Sequence, residues 1–299
     1  MKTISFIAAI AATMVLMSCS KSEQEVLTTS DSELNIKTSF GEIQTRTTIS
    51  DFPDQAAIGL FITNGTLGMN YDNIADNANV KSLYDGGTWR QTPTVYLSPA
   101  NATVFAYYPY VSSNNNGAAI PIEHNTQTDY LYGTHAPGQS NVNSSNPSVN
   151  LIMRHALSLL QFNINKNTYT GPGLLTEIEI CNEAGKTALF SEGLLNISTG
   201  NIANIPTKNQ AVVVNGSYTL PATVSMLVLP VISNISTGDI LINLTIDSKK
   251  YTLPVQANTK WEQGKVNVYN LILRGKDLVV SNISITDWTS GVSGNMVLQ

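Results

Sequence analysis

Cys19 is the residue of this sequence whose neighbours most clearly indicate a chemical modification. It ends the motif "LMSC", which is typical of the lipobox where bacteria remove a signal peptide and attach lipid to the cysteine. Lys2 and the uncharged run Ile4–Met17 precede it, and the run has the length of a signal peptide rather than of a membrane span. We predict that residues 1–18 are removed and that a lipid such as palmitate on Cys19 tethers the chain to a membrane. An ordinary secretory signal with an incidental cysteine is the alternative.

The other chemically capable residues form no recognised catalytic or metal-binding pattern. His124, His135 and His155 are too scattered for a zinc spacing, and no nucleophile elbow, phosphate-binding loop or dinucleotide fingerprint is present. Glu177 and Glu179 alternate on one face of a predicted strand instead of crowning a loop. We therefore expect no enzyme, no metal and no cofactor, and a structural, hydrogen-bonded role for His155.

The composition favours an exported β-protein. Only 12% of the residues are charged, against about 25% in typical soluble domains. The net charge is −5 and no basic run occurs, so nucleic acid is not an expected partner. Apart from Cys19 the chain has one cysteine, Cys181, which we expect to pack in a strand rather than to react.

The body of the chain is organised as strands. Short alternating or apolar runs bounded by turn residues recur from Ser50 onward, and no helical pattern exceeds two turns. Residues 133–150 are rich in Gly, Ser, Asn and Pro and are the best candidate for a linker or a long surface loop. We predict an all-β protein with two tandem β-sandwich domains, residues 47–149 and 150–299, after a tether and strand segment in residues 19–46.

That strand segment precedes the main body. In "ELNIKTSF", Leu34, Ile36, Thr38 and Phe40 point to one face of a predicted strand. Arg46 follows, and it is the only arginine before Arg90. The residues alone leave open whether this strand is a permanent part of the fold or a piece that is later removed.

One aromatic cluster, "FAYYPY", admits two interpretations. Phe105, Tyr107, Tyr108 and Tyr110 could form a sugar-stacking surface, since tyrosine has a flat apolar face and a polar tip. They could equally pack inside a sandwich and along its edge, and this second interpretation is the one we favour. The three tryptophans are likewise expected in core or domain-interface positions.

Several pieces, in their order along the chain, resemble the fimbrillin (Mfa-like) family. They are the lipobox, "TRTTISDF", "AIGLFIT", "TVYLSPANATVFAYYPY", "RHALSLLQFNI", "WEQGKVNVYNLIL" and "ISITDWTSG". The resemblance runs from about residue 40 to the C-terminus. One departure is "DQAAIGLFI", where the family more often has Gly-Asp before the Ile-Gly.

This resemblance implies a structural or adhesive subunit of surface fimbriae with two transthyretin-like β-sandwiches. Such subunits reach the outer membrane as lipoproteins, and an arginine-specific protease cuts them after an early arginine, which Arg46 matches, with Thr47 as the new first residue. They then polymerise with other fimbrial subunits by strand exchange. The strand with Leu34, Ile36, Thr38 and Phe40 would be released, and the C-terminal sequence would donate a strand through Val292, Met296 and Leu298.

Two other classes of function compete with this interpretation. The first is a monomeric, lipid-anchored surface protein that binds a glycan through exposed aromatic side chains. The second is a secreted hydrolase, which would require a converging acid pair or triad that the sequence does not reveal. The sequence does not distinguish a stalk, anchor or tip subunit, and it identifies no host or bacterial receptor.

Overall fold

The computed structural model describes residues 32–41, 52–139 and 141–288. Six expected site residues lie outside these described residues: Cys19, Arg46, Thr47, Val292, Met296 and Leu298. The described residues form twenty strands and two single-turn 3₁₀ helices, Tyr71–Asn73 and Ala75–Asn77. None of the helices in the described ranges is long and apolar enough to span a membrane.

The strands are, in chain order, β1 (Ser32–Glu33), β2 (Asn35–Phe40), β3 (Ala57–Thr63), β4 (Val80–Asp85), β5 (Thr88–Thr92), β6 (Tyr96–Leu97), β7 (Thr103–Tyr108), β8 (Ile120–Glu123), β9 (Leu131–His135), β10 (Ser148–His155), β11 (Ser158–Asn167), β12 (Leu174–Asn182), β13 (Glu192–Leu195), β14 (Ile202–Asn204), β15 (Val212–Thr219), β16 (Ala222–Val228), β17 (Ile240–Ile246), β18 (Lys249–Pro254), β19 (Lys265–Arg274) and β20 (Asp277–Asp287).

The N-terminal unit is built on a seven-stranded sheet with the order β2-β10-β9-β7-β3-β4-β5. β2 runs parallel to β10, and the other neighbouring pairs are antiparallel. The sheet curls, so that β2 and β5, at opposite ends of this order, lie close to each other. Ile58, Leu60 and Leu151 are fully buried in the core that the curled sheet encloses. The sheet therefore covers its own apolar face by closing toward a barrel.

The C-terminal unit is a sandwich of two four-stranded sheets, β16-β11-β19-β20 and β15-β12-β17-β18. Alternating strands such as β12 and β19 turn one set of side chains into a common core. The indole of Trp261 is 1% exposed in that core, and its Nε1–H donates to the hydroxyl of Tyr269 at 2.8 Å. The largest aromatic of the core is thus buried with its polar atom paired.

A third core cluster joins the two units. It combines Phe61 and Tyr107 from the seven-stranded sheet with Leu227 from β16 and with Trp288, which follows β20. The small sheet β14-β13-β8 contributes Ile122 to the same cluster. This contact is apolar and buried, which favours a fixed arrangement of the units over free rotation.

The all-β prediction is confirmed, and the strands form β-sandwich structure. Within "FAYYPY", Phe105 and Tyr107 are buried while Tyr108 and Tyr110 are half-buried, so the packing interpretation is confirmed. The stretch 133–150 contains the end of β9 and the start of β10, which are neighbours in one sheet, and the described residues 136–139 and 141–147 lie between the two strands. The expected domain division between residues 149 and 150 falls inside β10.

The N-terminal strand as a candidate assembly site

β2 closes the seven-stranded sheet at its edge. Its residues Asn35–Phe40 pair in parallel with Ser148–Met153 of β10, without a break in register. The backbone N–H of Leu34 donates to the carbonyl of Val95 at 2.9 Å on the opposite side. The strand thus lies between two parts of the fold that come from distant parts of the sequence.

The inward side chains of β2, together with Leu34 directly before it, fill the core of the N-terminal unit. Leu34, Ile36 and Thr38 are 1%, 5% and 1% exposed, as the alternation of the sequence predicts. Phe40 is half-buried, with its ring 5.1 Å from that of Phe52. Burying Leu34 and Ile36 stabilises the fold by about 1.5–3 kcal/mol each, so an empty groove would be an exposed apolar surface.

A hydrogen bond fixes the polar member of this row. The indole Nε1–H of Trp89 on β5 donates to the hydroxyl of Thr38 at 3.2 Å, and both residues are buried. Trp89 also contacts Phe52 edge-on, with ring centroids 5.1 Å apart. β2 is therefore held by backbone pairing on one side and by side-chain contacts from β5 on the other.

The end of β2 touches an aromatic stack that reaches the end of β20. The ring of Phe40 lies 6.2 Å from that of His155, and His155 lies 3.5 Å from Trp288 with the two planes 5° apart. Nδ1 of His155 is 2.8 Å from Oδ1 of Asp129, and both side chains are almost fully buried. The expectation of a hydrogen-bonded structural histidine is confirmed. The stack brings the N-terminal strand and the last described residue into one cluster.

The other two histidines also have structural partners. Burial lowers the pKa of His124 to about 4, and its Nδ1 accepts the backbone N–H of Leu229 at 3.5 Å. Nε2 of His135 accepts the backbone N–H of Val104 at 2.9 Å, and burial lowers the pKa of this side chain as well. Both rings are held as neutral hydrogen-bonding groups within strands and loops of the core.

The carboxylates singled out from the sequence lie on the face of a sheet. Oε2 of Glu179 pairs with Nζ of Lys250 at 2.9 Å, which lowers the pKa of that carboxyl group. Glu177 accepts a hydrogen bond from Thr245 at 3.4 Å. Cys181, on the same strand β12, is half-buried, and burial raises the pKa of its thiol. A cysteine in such surroundings is a poor nucleophile.

One feature of β20 was missed by the sequence reasoning. Ile283 and Ile285 are 41% and 56% exposed, although they pair with the buried Tyr269 and Asn267 of β19. Among the described residues, β19 is the only strand that pairs with β20. The alternation in "ISITD" predicts a strand with an apolar face. It does not predict that no other element covers this face.

These features define a class of protein, an all-β chain in which a curled sheet packs against a β-sandwich and an N-terminal strand completes the curled sheet. Residues 45–288 match the family described as Fimbrillin-like. The chain belongs to this family. No curated protein matches it.

Solved structures share this fold at low sequence identity. A candidate cell adhesion protein from Bacteroides uniformis aligns with a TM-score of 0.65 and 18% identity, over 86% of this chain and 99% of that one. A candidate cell adhesion protein from Bacteroides ovatus aligns with a TM-score of 0.64 and 16% identity, over 87% of this chain and 99% of that one. The tip fimbrial protein Mfa3 from Porphyromonas gingivalis, with a C-terminal truncation, aligns with a TM-score of 0.52 and 11% identity, over 86% of this chain and 100% of that one.

Proposed function

We propose that this chain is a subunit of cell-surface fimbriae that assembles by replacing its N-terminal strand with a strand from another subunit. In this proposal the chain is exported as a lipoprotein through Cys19, reaches the outer membrane, and is cut between Arg46 and Thr47 by an arginine-specific protease. Membership of the fimbrillin-like family and the fold shared with a tip fimbrial protein support this role. A structural subunit of this kind needs no catalytic site.

The position of β2 is the observation that carries the proposal. It is an edge strand of the seven-stranded sheet. Departure of the N-terminal segment breaks the pairing of β2 with β10, the short pairing of β1 with β6 and the hydrogen bond of Leu34 to Val95, but it leaves the six other strands of the sheet paired with one another. The departing segment removes the side chains of Leu34 and Ile36 from the core. The vacated edge would then present unpaired backbone groups along β10 above an apolar groove, which is a template for a new strand.

The strand that refills the groove comes, in this proposal, from the C-terminal sequence of a neighbouring subunit. In this chain "VSGNMVLQ" alternates Val292, Met296 and Leu298 on one face and would serve the next subunit in the same way. A contact that joins a tail to a different surface is heterologous and does not close on itself, so repetition builds a filament.

The test is the N-terminus of the protein recovered from the cell surface, measured by intact mass and N-terminal sequencing. We expect wild type to begin at Thr47 and to run as an SDS-resistant ladder. Arg46→Ala and Arg46→Lys should both keep a lipidated Cys19 and lose the ladder, and the lysine variant controls for loss of charge. A wild-type protein that begins at Cys19 yet forms the ladder would contradict the cleavage step.

A further inference from the structure

A surface groove of the N-terminal unit has the features of a contact site. It encloses about 280 Å³ between the two 3₁₀ helices, residues 71–77, and the segment around β6, residues 93–98. We call it the Tyr96 groove. Its lining is predominantly apolar, and two of its large side chains are exposed, Tyr96 at 56% and Ile74 at 49%. Single exposed apolar residues are common in proteins, but two that line one cavity mark a surface for a partner.

Buried hydrogen bonds join the two sides of the Tyr96 groove. Tyr71, at the start of the first 3₁₀ helix, is buried, and its hydroxyl donates to the carbonyl of Ala100 at 2.7 Å. The same hydroxyl accepts the backbone N–H of Ser98 at 3.1 Å. On the helix side, Nδ2 of the buried Asn77 donates to the carbonyl of Tyr71 at 2.9 Å. The groove is therefore formed before a partner arrives, and a preformed site lowers the ordering cost of binding.

The charged side chains at the Tyr96 groove are acidic. Asp72 and Asp76 line it from the helix side and are exposed, and no lysine, arginine or histidine is among the described residues that line it. Within the described ranges no salt bridge joins either carboxylate to a cation. Glu33 is the register partner of Tyr96 on the antiparallel pair of β1 and β6, so a third carboxylate lies on the same side of that pair as the tyrosine ring. The groove thus combines an apolar lining with uncompensated negative charge.

We propose that the Tyr96 groove binds a cationic segment of another polypeptide through an arginine or lysine side chain. The alkyl stem of such a side chain would pack on Ile74, and its cationic head would lie over the ring of Tyr96. The carboxylates of Asp72 and Asp76 would then pair with the same head.

Charge complementarity selects this partner over the other classes that an aromatic groove can accept. An anionic ligand would be repelled by the carboxylates. A neutral saccharide could stack on Tyr96, but it would leave the charges of Asp72 and Asp76 uncompensated. This contact goes beyond the proposed function, because it requires neither cleavage at Arg46 nor a donated strand.

The first test measures peptide binding to the uncut full chain by fluorescence anisotropy. The probe is a labelled, end-capped Gly-Arg-Gly-Arg-Gly peptide, and the matched probe carries citrulline, which has nearly the shape of arginine but no charge. We expect the arginine peptide to bind about tenfold tighter than the citrulline peptide, and to lose this advantage at high salt concentration. Equal binding of the two peptides, or no binding of either, would overturn the proposal.

The second test locates the binding site with variants of equal net charge. We expect the Asp72→Asn, Asp76→Asn double variant to bind the arginine peptide about tenfold more weakly than wild type, and Tyr96→Ala also to weaken it. The control is the Glu262→Gln, Asp277→Asn double variant, which changes the same number of exposed carboxylates in the C-terminal unit. It should bind like wild type. Equal losses in the two double variants would mean that overall charge attracts the peptide, and unchanged binding by Tyr96→Ala would also remove the groove as the site.

Two further measurements complete this test. The melting temperatures of all variants should match wild type, since each substituted side chain is exposed. The neutral saccharide maltotriose is added as a competitor, and we expect no displacement of the arginine peptide. Displacement by maltotriose would overturn the cationic partner and assign the groove to a saccharide. Because the chain remains uncut, these outcomes judge the Tyr96 groove separately from strand replacement.

Discussion

At the scale of single residues, His155 connects the two ends of the described chain. Its ring is stacked on Trp288, which follows β20, and it faces Phe40 at the end of β2. Asp129 fixes the ring through Nδ1. Trp288 thus packs against His155, which in turn contacts Phe40 of β2. A substitution at Trp288 should therefore weaken the packing of β2.

We predict that Trp288→Ala lowers the free energy of unfolding by about 3 kcal/mol, as expected for loss of a buried tryptophan side chain. It should also speed hydrogen exchange in Asn35–Phe40, because Phe40 loses the support of the stack. Trp261→Ala, in the separate core of the C-terminal unit, is the matched control and should not selectively affect β2. Hydrogen exchange is measured by mass spectrometry. Equal acceleration of exchange in β2 by both variants would contradict the coupling between Trp288 and β2.

A second prediction at this scale concerns pH. Burial lowers the pKa of His124 to about 4, below the value of about 6.5 of an unfolded histidine. The unfolded chain therefore takes up a proton first, and the contribution of His124 is complete above pH 6.5 and is lost as the pH falls toward 4. The loss amounts to about 3 kcal/mol. Chemical denaturation at several pH values should show a shallower decline for His124→Gln than for wild type; parallel curves would contradict this.

At the scale of elements, β2 is the strand whose removal the account requires. We predict that Leu34→Ala lowers the free energy of unfolding by about 3 kcal/mol, since a buried leucine is truncated. Lys37→Ala, on the exposed face of β2, should change the free energy of unfolding by less than about 0.5 kcal/mol. Urea denaturation of the two variants gives the comparison, and similar values for both would mean that β2 is not packed as described.

The sequence predicts individual elements better than their partners. The alternation of Leu34, Ile36 and Thr38 was enough to predict a strand with one buried face, because the side-chain period of a strand is local. Its parallel pairing with β10 was not predictable, since that register is decided by packing between segments about a hundred residues apart. For the same reason the burial of the polar residues Ser82 and Gln91 was not predictable from the sequence.

At the scale of the whole molecule, the two units form a connected body through the third core cluster. In the proposed function this body would accept one strand in place of β2 and would offer the sequence that follows Trp288. One accepted and one donated strand per subunit would be sufficient for a linear filament.

We predict that Met296→Asp combined with Leu298→Asp blocks donation while leaving the monomer folded. A carboxylate at either position would have to be buried in the apolar groove of the neighbouring subunit without a partner. Circular dichroism should match wild type, and the SDS-resistant ladder should be lost. Ser293→Asp, on the other face of the alternating sequence, is the control that should assemble; normal filaments from the double variant would refute the donor role.

The most direct measurement is to lock β2 in place. Lys37 and Asn150 are register partners on the parallel pair β2 and β10, so cysteines at both positions are placed to form a disulfide. In the oxidised Lys37→Cys, Asn150→Cys protein we expect cleavage at Arg46 to proceed, the fragment to stay attached and no ladder to form. Reduction should restore assembly, and each single-cysteine variant should assemble throughout. A locked, oxidised protein that assembles like wild type would contradict strand replacement.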